Sequence, residues 1–262
     1  MLRMFVAGNR AGVVALEIAM VSRRLALALV CLSCAASLVH AETRGVIELF
    51  TSQGCSSCPA ADKLVGELAR DPSLVSLSLP IDYWDYLGWK DTLADPRNTA
   101  RQKAYSKVRG DREVYTPQVV VNGSLHALGS DQSAIEKAIA KSRQNAGAMS
   151  LPVTLSMAGG RLTIAVPNGN ETQKDAEVWI CGLAKAITVP VKRGENQGKT
   201  ITYHNVARRW IKLDQWNGKE RTWTVPIRDF SGEGIDAAAV LVQNGAVEKP
   251  GAMLGAAFAS LH

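Results

Sequence analysis

Two patterns of hydrophobic positions alternate along the first half of the chain. Runs of consecutive apolar residues, typical of buried strands, lie at residues 46–52, 74–81, 118–121 and 125–128. Segments with an apolar residue every three or four positions, typical of amphipathic helices, lie at residues 60–70, 96–108 and 131–145. Asp95-Pro96 favours the start of the second helix, and Ser130 or Asp131 is expected to cap the third. Asn122-Gly123 is typical of a hairpin turn. The pattern therefore predicts the element order β-α-β-α-β-β-α.

After residue 150 the helical pattern gives way to short strands separated by glycine-containing turns. Apolar runs lie at residues 153–157, 162–166, 178–183, 187–191, 201–206, 222–227 and 238–242. Such closely spaced strands are typical of a β-sandwich. The order in the first half is that of the minimal thioredoxin fold. We therefore predict an α/β thioredoxin-like domain at residues 42–147, followed by a mostly antiparallel, β-sandwich-like domain at residues 151–262.

The N-terminus has the pattern of a secretory signal peptide. Arg23 and Arg24 precede an apolar run at residues 25–39, and small residues around Ala41 form a cleavage signature. We predict a signal peptide at residues 1–41, with Met20 as an alternative translation start. An apolar run of about 15 residues is shorter than the roughly 20 that a membrane span needs. We therefore expect a periplasmic or secreted protein with no stable membrane span after cleavage.

Charge and cysteine content narrow the function classes. The formal net charge is +6, without clusters of Lys and Arg interleaved with aromatic residues, so we expect no nucleic-acid partner. Two of the five cysteines lie in the predicted signal peptide, which leaves Cys55, Cys58 and Cys181. An odd number fits one reactive pair with a single additional thiol, and does not fit a scaffold built from disulfides.

Cys55 and Cys58 form a CxxC motif between the first predicted strand and the first predicted helix. A cysteine just before a helix lies beside unpaired backbone N–H groups, which stabilise a thiolate. We predict that Cys55 is the nucleophile and Cys58 the resolving thiol, with their disulfide as the redox centre and no further cofactor. Thr116-Pro117 precedes a hairpin strand, where thioredoxin-like proteins hold a cis-proline, and is predicted to position the substrate backbone.

Other roles for these residues stay open. The CxxC pair could be a structural disulfide or half of a zinc site, but no second close pair of ligands follows, so we predict no metal site. Glu48 lies in a strand predicted to be covered on both faces, where a carboxylate needs a proton or a partner. It is either a proton relay to Cys58 or the partner of Lys63 or an arginine. Cys181 is either a small buried side chain or a third thiol that meets Cys55.

The segment 83–89 concentrates aromatic residues between the second strand and the next helix. Tyr83, Trp84 and Trp89 are candidates for a groove that binds an extended chain through their ring faces. They are equally candidates for filling an interface with the second domain.

Longer motifs carry a resemblance to a known family. They are FTSQGCSSCPAAD at residues 50–62, DYWDYLGWKD at 82–91, YTPQ at 115–118, RGEN at 193–196 and YHNV at 203–206. Together they resemble the secreted thioredoxin-like bacterial proteins grouped as domain of unknown function 1223. The resemblance covers nearly all of the predicted mature chain. It implies a thioredoxin-like fold and supplies no established substrate.

The leading hypothesis is an exported thioredoxin-like thiol–disulfide oxidoreductase that acts on protein thiols or disulfides in the cell envelope. One alternative is a protein that binds a soft metal ion such as copper through the two thiolates. A second is a non-catalytic interaction module whose disulfide is permanent. The motif does not set the direction of electron flow, because the reduction potential depends on the relative stability of thiolate and disulfide.

Overall fold

A computed structural model describes residues 43–145, 147–170, 173 and 175–261, and its secondary structure is mostly β. The strands are β1 Gly45–Thr51, β2 Leu74–Pro80, β3 Gln118–Val121, β4 Leu125–Leu128, β5 Thr154–Ala158, β6 Arg161–Val166, β7 Ala176–Pro190, β8 Thr200–Trp216, β9 Arg221–Pro226, β10 Ala237–Ala246 and β11 Lys249–Ser260. The helices are α1 Cys58–Leu68, α2 Pro96–Arg109, α3 Gln132–Ser142 and α4 Ile227–Phe230, with a 3-10 turn at Asp85–Leu87.

Eight of these strands form one mixed sheet that draws on both halves of the chain. Its order is β11-β10-β7-β8-β2-β1-β3-β4, and β5-β6-β9 forms a separate three-stranded sheet. β1 and β2 are parallel, whereas β3 runs antiparallel to β1. β2 meets β8 in parallel, with Ser78 paired to Val206. The strands of the second half therefore extend the same sheet as those of the first.

The predicted fold class, an α/β thioredoxin-like domain followed by a β-sandwich-like domain, is wrong. The protein is mostly β, and its main layer is the eight-stranded mixed sheet. Most of the predicted strands and helices are present, and β3 and β4 form the predicted hairpin, but strands of both halves join one sheet. Hydrophobic alternation shows which face of a strand is buried, but it does not show which other strand pairs with it.

Local chemistry explains where the helices begin. The Asp95 carboxylate accepts a hydrogen bond from the Arg97 N–H, with Pro96 in the first turn of α2. The Asp131 carboxylate accepts from the Ala134 N–H in the same way at the start of α3. Gly110 ends α2 in the left-handed region at φ 81°, which a side chain would disfavour. Both aspartates act as the helix caps that the sequence predicts.

Apolar packing places α1 and α2 on opposite faces of β1. Ile47 and Leu49 of β1 pack with Ala61 and Val65 of α1, and α3 completes this layer. Val46 and Phe50 pack instead with Tyr105 of α2. Because alternate residues of a strand point to opposite faces, Glu48 shares the α2 face with Val46 and Phe50. The carboxyl end of β1 then leads directly into the CxxC motif.

Some predictions concern other parts of the chain. The predicted signal peptide at residues 1–41 and the alternative start at Met20 lie outside the described residues. The predicted domain boundary at residues 147–151 falls in the connection between α3 and β5 and stays a prediction. Of the helices that the structure describes, none combines the length and apolar character needed to span a membrane.

Candidate functional site

The two cysteines of the CxxC motif form a disulfide at the N-terminus of α1. The sulfur atoms of Cys55 and Cys58 are 2.16 Å apart, and their Cα atoms are 5.4 Å apart. Cys58 is the first residue of α1 and Pro59 follows in the first turn, where its missing N–H costs no helical hydrogen bond. Cys55 is 1% exposed and Cys58 is fully buried. The pair is thus assembled as predicted, but it is covered.

Trp84 connects the CxxC turn to the predicted substrate-positioning residues. The Thr116-Pro117 peptide bond is cis. The Trp84 indole N–H donates to the Thr116 hydroxyl at 2.8 Å. The Trp84 Cβ also lies 3.1 Å from where a Cβ on Gly54 would be, so a larger residue at position 54 would push against it. Trp84 thus lies between the CxxC turn and Thr116, and β3, which begins directly after Pro117, pairs with the carboxyl end of β1.

The aromatic residues of segment 83–89 contact different parts of the structure. The Tyr83 hydroxyl donates to the Gln102 side chain of α2 at 3.2 Å. The Trp89 indole N–H donates to the Gln53 side chain at 2.8 Å, just before the cysteines. Tyr86 is 78% exposed and stacks on Trp84 with the rings 12° from parallel. Trp84 and Tyr86 thus form an aromatic surface beside the CxxC turn.

A loop from the second half of the chain covers the disulfide. This 191–199 loop joins β7 to β8, and its Asn196 is fully buried. The Asn196 amide donates to the carbonyl of Gln53 at 3.0 Å and to that of Cys55 at 2.8 Å. The Glu195 carboxylate accepts from the Ser56 N–H at 3.1 Å. The motif RGEN, which carried only a family resemblance, therefore contacts the CxxC turn.

A buried carboxyl group lies one helical turn after Cys58. Asp62 follows Cys58 by four residues on α1, so the two side chains share one face of the helix. The Thr51 hydroxyl donates to Asp62 Oδ1 at 2.8 Å, whereas Oδ2 has no hydrogen-bond partner in the part of the chain described. Burial raises the pKa of Asp62 well above its usual value, and the nearby Asp91 carboxyl raises it further. Burial therefore shifts Asp62 toward its protonated form at pH values where an exposed aspartate is ionised.

The sequence analysis does not single out Asp62, although its position in the helical pattern is a signal. Asp62 is a charged residue on the apolar stripe of α1, between Ala61 and Val65 of the buried layer. Asp91 is similar, since burial raises its pKa while its carboxylate accepts from the Gln53 N–H at 2.8 Å. Tyr203 of β8 is buried as well, and its hydroxyl has no hydrogen-bond partner among the described residues. Buried polar groups of this kind are costly and often functional.

Asp62→Asn is expected to stabilise the protein at neutral pH. The raised pKa means that the folded state favours protonated Asp62, so its contribution is favourable below the unfolded pKa of about 4. That contribution is lost as the pH rises toward the folded pKa. The amide avoids the loss, so its stability advantage should grow with pH to about 1–3 kcal/mol at pH 7. Urea unfolding of both proteins from pH 4 to pH 8 measures this difference.

Asp71→Asn is the matched control with the opposite sign. Hydrogen bonds from Ser73 and Arg44 lower the pKa of Asp71 to about 2. Its contribution is therefore present above pH 4 and lost as the pH falls toward 2, so Asp71→Asn should lose stability at neutral pH. Parallel stability curves for Asp62→Asn and the unmodified protein would show that the Asp62 carboxyl does not carry the expected pH dependence.

Glu48 has an arginine partner, which is one of the two predicted alternatives. The Arg101 guanidinium of α2 contacts Glu48 Oε1 at 2.6 Å, and the Tyr105 hydroxyl donates to Glu48 Oε2 at 2.5 Å. Glu48 thus lies on the α2 face of β1, whereas α1 packs on the other face. No hydrogen bond between Glu48 and Cys58 occurs among the described residues.

Two further predictions concern the role of Cys181 and a possible metal site. Cys181 is a free thiol buried in the layer that contains Phe50 and Leu241, and burial raises its pKa well above the usual value. It is the small buried side chain of the two alternatives. Across the residues that can be described, no group of three or more His, Cys, Asp or Glu side chains is arranged to hold a metal ion.

Comparisons with known proteins place the chain in a family. An X-ray crystal structure of a protein from Agrobacterium tumefaciens is similar, with a TM-score of 0.75 and 32% sequence identity. The similarity covers 84% of this chain and 95% of that one. Among curated proteins, none is similar enough to count as a match. The family model described as protein of unknown function DUF1223 matches residues 46–243, and the chain belongs to that family.

Proposed function

We propose that this protein is an exported thiol–disulfide oxidoreductase that acts on protein thiols in the cell envelope. The observation that carries the proposal is the Cys55–Cys58 disulfide at the N-terminus of α1. Thr116 and cis-Pro117 precede β3 at the carboxyl end of β1, and Thr116 accepts a hydrogen bond from Trp84. Helix N-termini stabilise thiolates, which are the reactive species in exchange. The sequence pattern of residues 1–41 supports export, and a disulfide suits an oxidising compartment.

In the proposed reaction, a client thiolate attacks Cys55 Sγ and breaks the bond to Cys58. Cys58 leaves as a thiolate, and a new disulfide joins the client to Cys55. A second client thiolate then attacks the client sulfur of that bond, which releases Cys55 as a thiolate. Two electrons pass from the client, which becomes a disulfide, to the protein. The same steps run in reverse when the client is the oxidant.

Asp62 is the proposed proton donor to the departing Cys58 thiolate. Its raised pKa favours the protonated form, and its place four residues after Cys58 puts both groups on one helix face. Thr116 and Pro117 are the proposed contact for the client backbone. Trp84 and the exposed Tyr86 ring beside it offer an apolar surface to the residues around the client cysteine.

The test is a mixed disulfide trapped on Cys55. Cys58→Ala leaves Cys55 without a resolving thiol, so incubation with an oxidised peptide of known mass should give a stable adduct detectable by mass spectrometry. Cys55→Ser/Cys58→Ala should give none. Redox titration of the unmodified protein with glutathione should show full cycling between dithiol and disulfide. The proposal fails if the pair does not cycle and Cys58→Ala forms no adduct.

Burial of the disulfide favours a second candidate function, an interaction module with a permanent disulfide. Cys55 is 1% exposed and Cys58 is not exposed at all, and structural disulfides resist reduction. The glutathione titration separates the two candidates. A pair that stays oxidised even in excess dithiothreitol under native conditions, but is reduced in urea, would identify a structural disulfide.

A further inference from the structure

Glu195 brings a negative charge to the N-terminus of α1, beside the proposed nucleophile. Its carboxylate accepts from the N–H of Ser56, which lies between the two cysteines, and the contact is exposed to solvent. The partners are 139 residues apart in sequence. The first turn of α1 contains no acidic residue, and the Ser57 side chain makes no capping hydrogen bond. Glu195 therefore supplies a negative charge that the helix itself lacks.

A carboxylate in this position competes with a thiolate. Positive partial charge at a helix N-terminus stabilises a nearby anion, and that anion is the Cys55 thiolate when the pair is reduced. The Glu195 charge offsets part of this stabilisation and also repels the thiolate directly. Both effects act in the same direction, so Glu195 favours the uncharged thiol of Cys55.

The position of Glu195 does not depend on its own hydrogen bond. Asn196 holds the adjacent backbone through its bonds to Gln53 and Cys55, and the Lys199 ammonium donates to the Asn196 side chain at 2.9 Å. The carboxylate is thus presented to the CxxC turn by a buried anchor. Glutamine at position 195 keeps the size of the side chain and an oxygen acceptor for the Ser56 N–H.

We propose that Glu195 sets the reactivity of Cys55, as a residue that tunes the nucleophile without reacting itself. The proposal rests on the proposed oxidoreductase function and adds a specific regulator of the same pair. By disfavouring the Cys55 thiolate, Glu195 destabilises the reduced state relative to the disulfide. The protein should therefore be a weaker oxidant than its CxxC position at a helix N-terminus alone would make it.

Other charged groups near the CxxC turn also act on the Cys55 thiolate. Asp62 of α1 and Asp91 of the preceding segment are buried, and burial raises the pKa of each. Lys192, Arg193 and Lys199 belong to the same 191–199 loop and are cationic. Glu195→Gln leaves all five groups unchanged, so the difference between the variant and the unmodified protein isolates the Glu195 charge.

The experiment uses Glu195→Gln with Glu233→Gln as its control. Glu233 lies in an exposed segment between α4 and β10. In the reduced proteins, the pH midpoint of the Cys55 alkylation rate with iodoacetamide should fall by about half a pH unit in Glu195→Gln only. The glutathione equilibrium at pH 7 should shift toward the reduced protein by about threefold, again in Glu195→Gln only.

Each outcome decides one of the two proposals. An unchanged alkylation midpoint and an unchanged glutathione equilibrium in Glu195→Gln would overturn the role of Glu195, even where Cys58→Ala still traps peptides. A shifted midpoint in a protein that forms no mixed disulfide would support the electrostatic role of Glu195 and overturn the proposed function. A loss of stability without either shift would identify a merely structural contact.

Discussion

Arg101→Met is expected to reduce the free energy of unfolding by about 3–5 kcal/mol. The Arg101 side chain is 11% exposed and its partner Glu48 is fully buried, so neither charge has ready access to water. Removing the guanidinium leaves the Glu48 carboxylate buried without its counter-ion. The cost of an unpaired buried charge exceeds that of a lost contact, which explains the size of the effect.

The rest of the network adds to this cost. The Arg101 guanidinium also donates to the Tyr105 hydroxyl at 2.7 Å and to the Gln243 side chain at 2.9 Å. Gln243 in turn donates to the Tyr105 hydroxyl at 2.8 Å. Gln243 belongs to β10 and Glu48 to β1. The network therefore connects, through α2, two strands that are not neighbours in the sheet. Urea or thermal unfolding measures the loss.

Two companion variants identify the cause. Arg97→Met, one helical turn earlier on α2, removes a guanidinium that is 63% exposed and paired with Asp95, and should cost under about 1 kcal/mol. Arg101→Met/Glu48→Leu removes both buried charges and should recover a large part of the loss, although Tyr105 loses its carboxylate acceptor and Gln243 loses its guanidinium donor. If the double variant is as unstable as Arg101→Met, an unpaired Glu48 charge is not the source of the effect.

Asn196→Ala should accelerate reduction of the Cys55–Cys58 disulfide by dithiothreitol about tenfold to a hundredfold. Cys55 is 1% exposed, so a thiol reaches its sulfur only after the residues around it move, and we expect the 191–199 loop to be the part that moves. Asn196 holds that loop through two hydrogen bonds to the carbonyls of Gln53 and Cys55. Losing both weakens the closed state by about 1–3 kcal/mol, which raises the open population and the reduction rate together.

A turn asparagine elsewhere provides the control for this experiment. Asn217 is exposed between β8 and β9, where its side chain accepts from the Lys219 N–H at 3.3 Å. Asn217→Ala should leave the reduction rate unchanged. Equal rates for Asn196→Ala and the unmodified protein, measured where both are fully folded, would show that the loop does not control access to the disulfide.

Elements fixed by nearby residues are the part of the fold that the sequence predicts well. Asp95 and Asp131 cap helices where expected, and the Asn122-Gly123 turn joins β3 to β4. Each of these depends on chemistry within a few residues. The order of strands in the sheet depends instead on partners far apart in the chain, such as Ser78 and Val206. That pairing leaves no signal in the hydrophobic pattern of either strand.

Strand length is a second property that the hydrophobic pattern predicts poorly. β7 and β8 are 15 and 17 residues long, whereas the hydrophobic runs predicted two short strands in β7 and only the first part of β8. β11 was not predicted, because alanine and glycine dominate Lys249–Ser260 and neither favours strands intrinsically. Its burial against β10 and the first half of the chain decides its conformation instead.

The residues of the candidate site also fall into two groups, those that the local sequence predicts and those that depend on tertiary contacts. The spacing of Cys55 and Cys58 predicts their pairing, because the reach of two sulfur atoms across one turn is a local property. Asp62 could have been found from its place on the apolar face of α1. Glu195 and Asn196 could not, because their contacts with the CxxC turn cross about 140 residues of chain. Only tertiary structure brings them together.

That separation has a consequence for biosynthesis. Asn196 follows Cys55 by 141 residues, and a ribosome adds about 5–20 residues per second. The cysteines therefore emerge roughly ten seconds before the segment that will cover them exists. During this interval Cys55 and Cys58 lack the contacts that Glu195 and Asn196 later make with the CxxC turn. The pair is therefore open to exchange before the rest of the fold can enclose it.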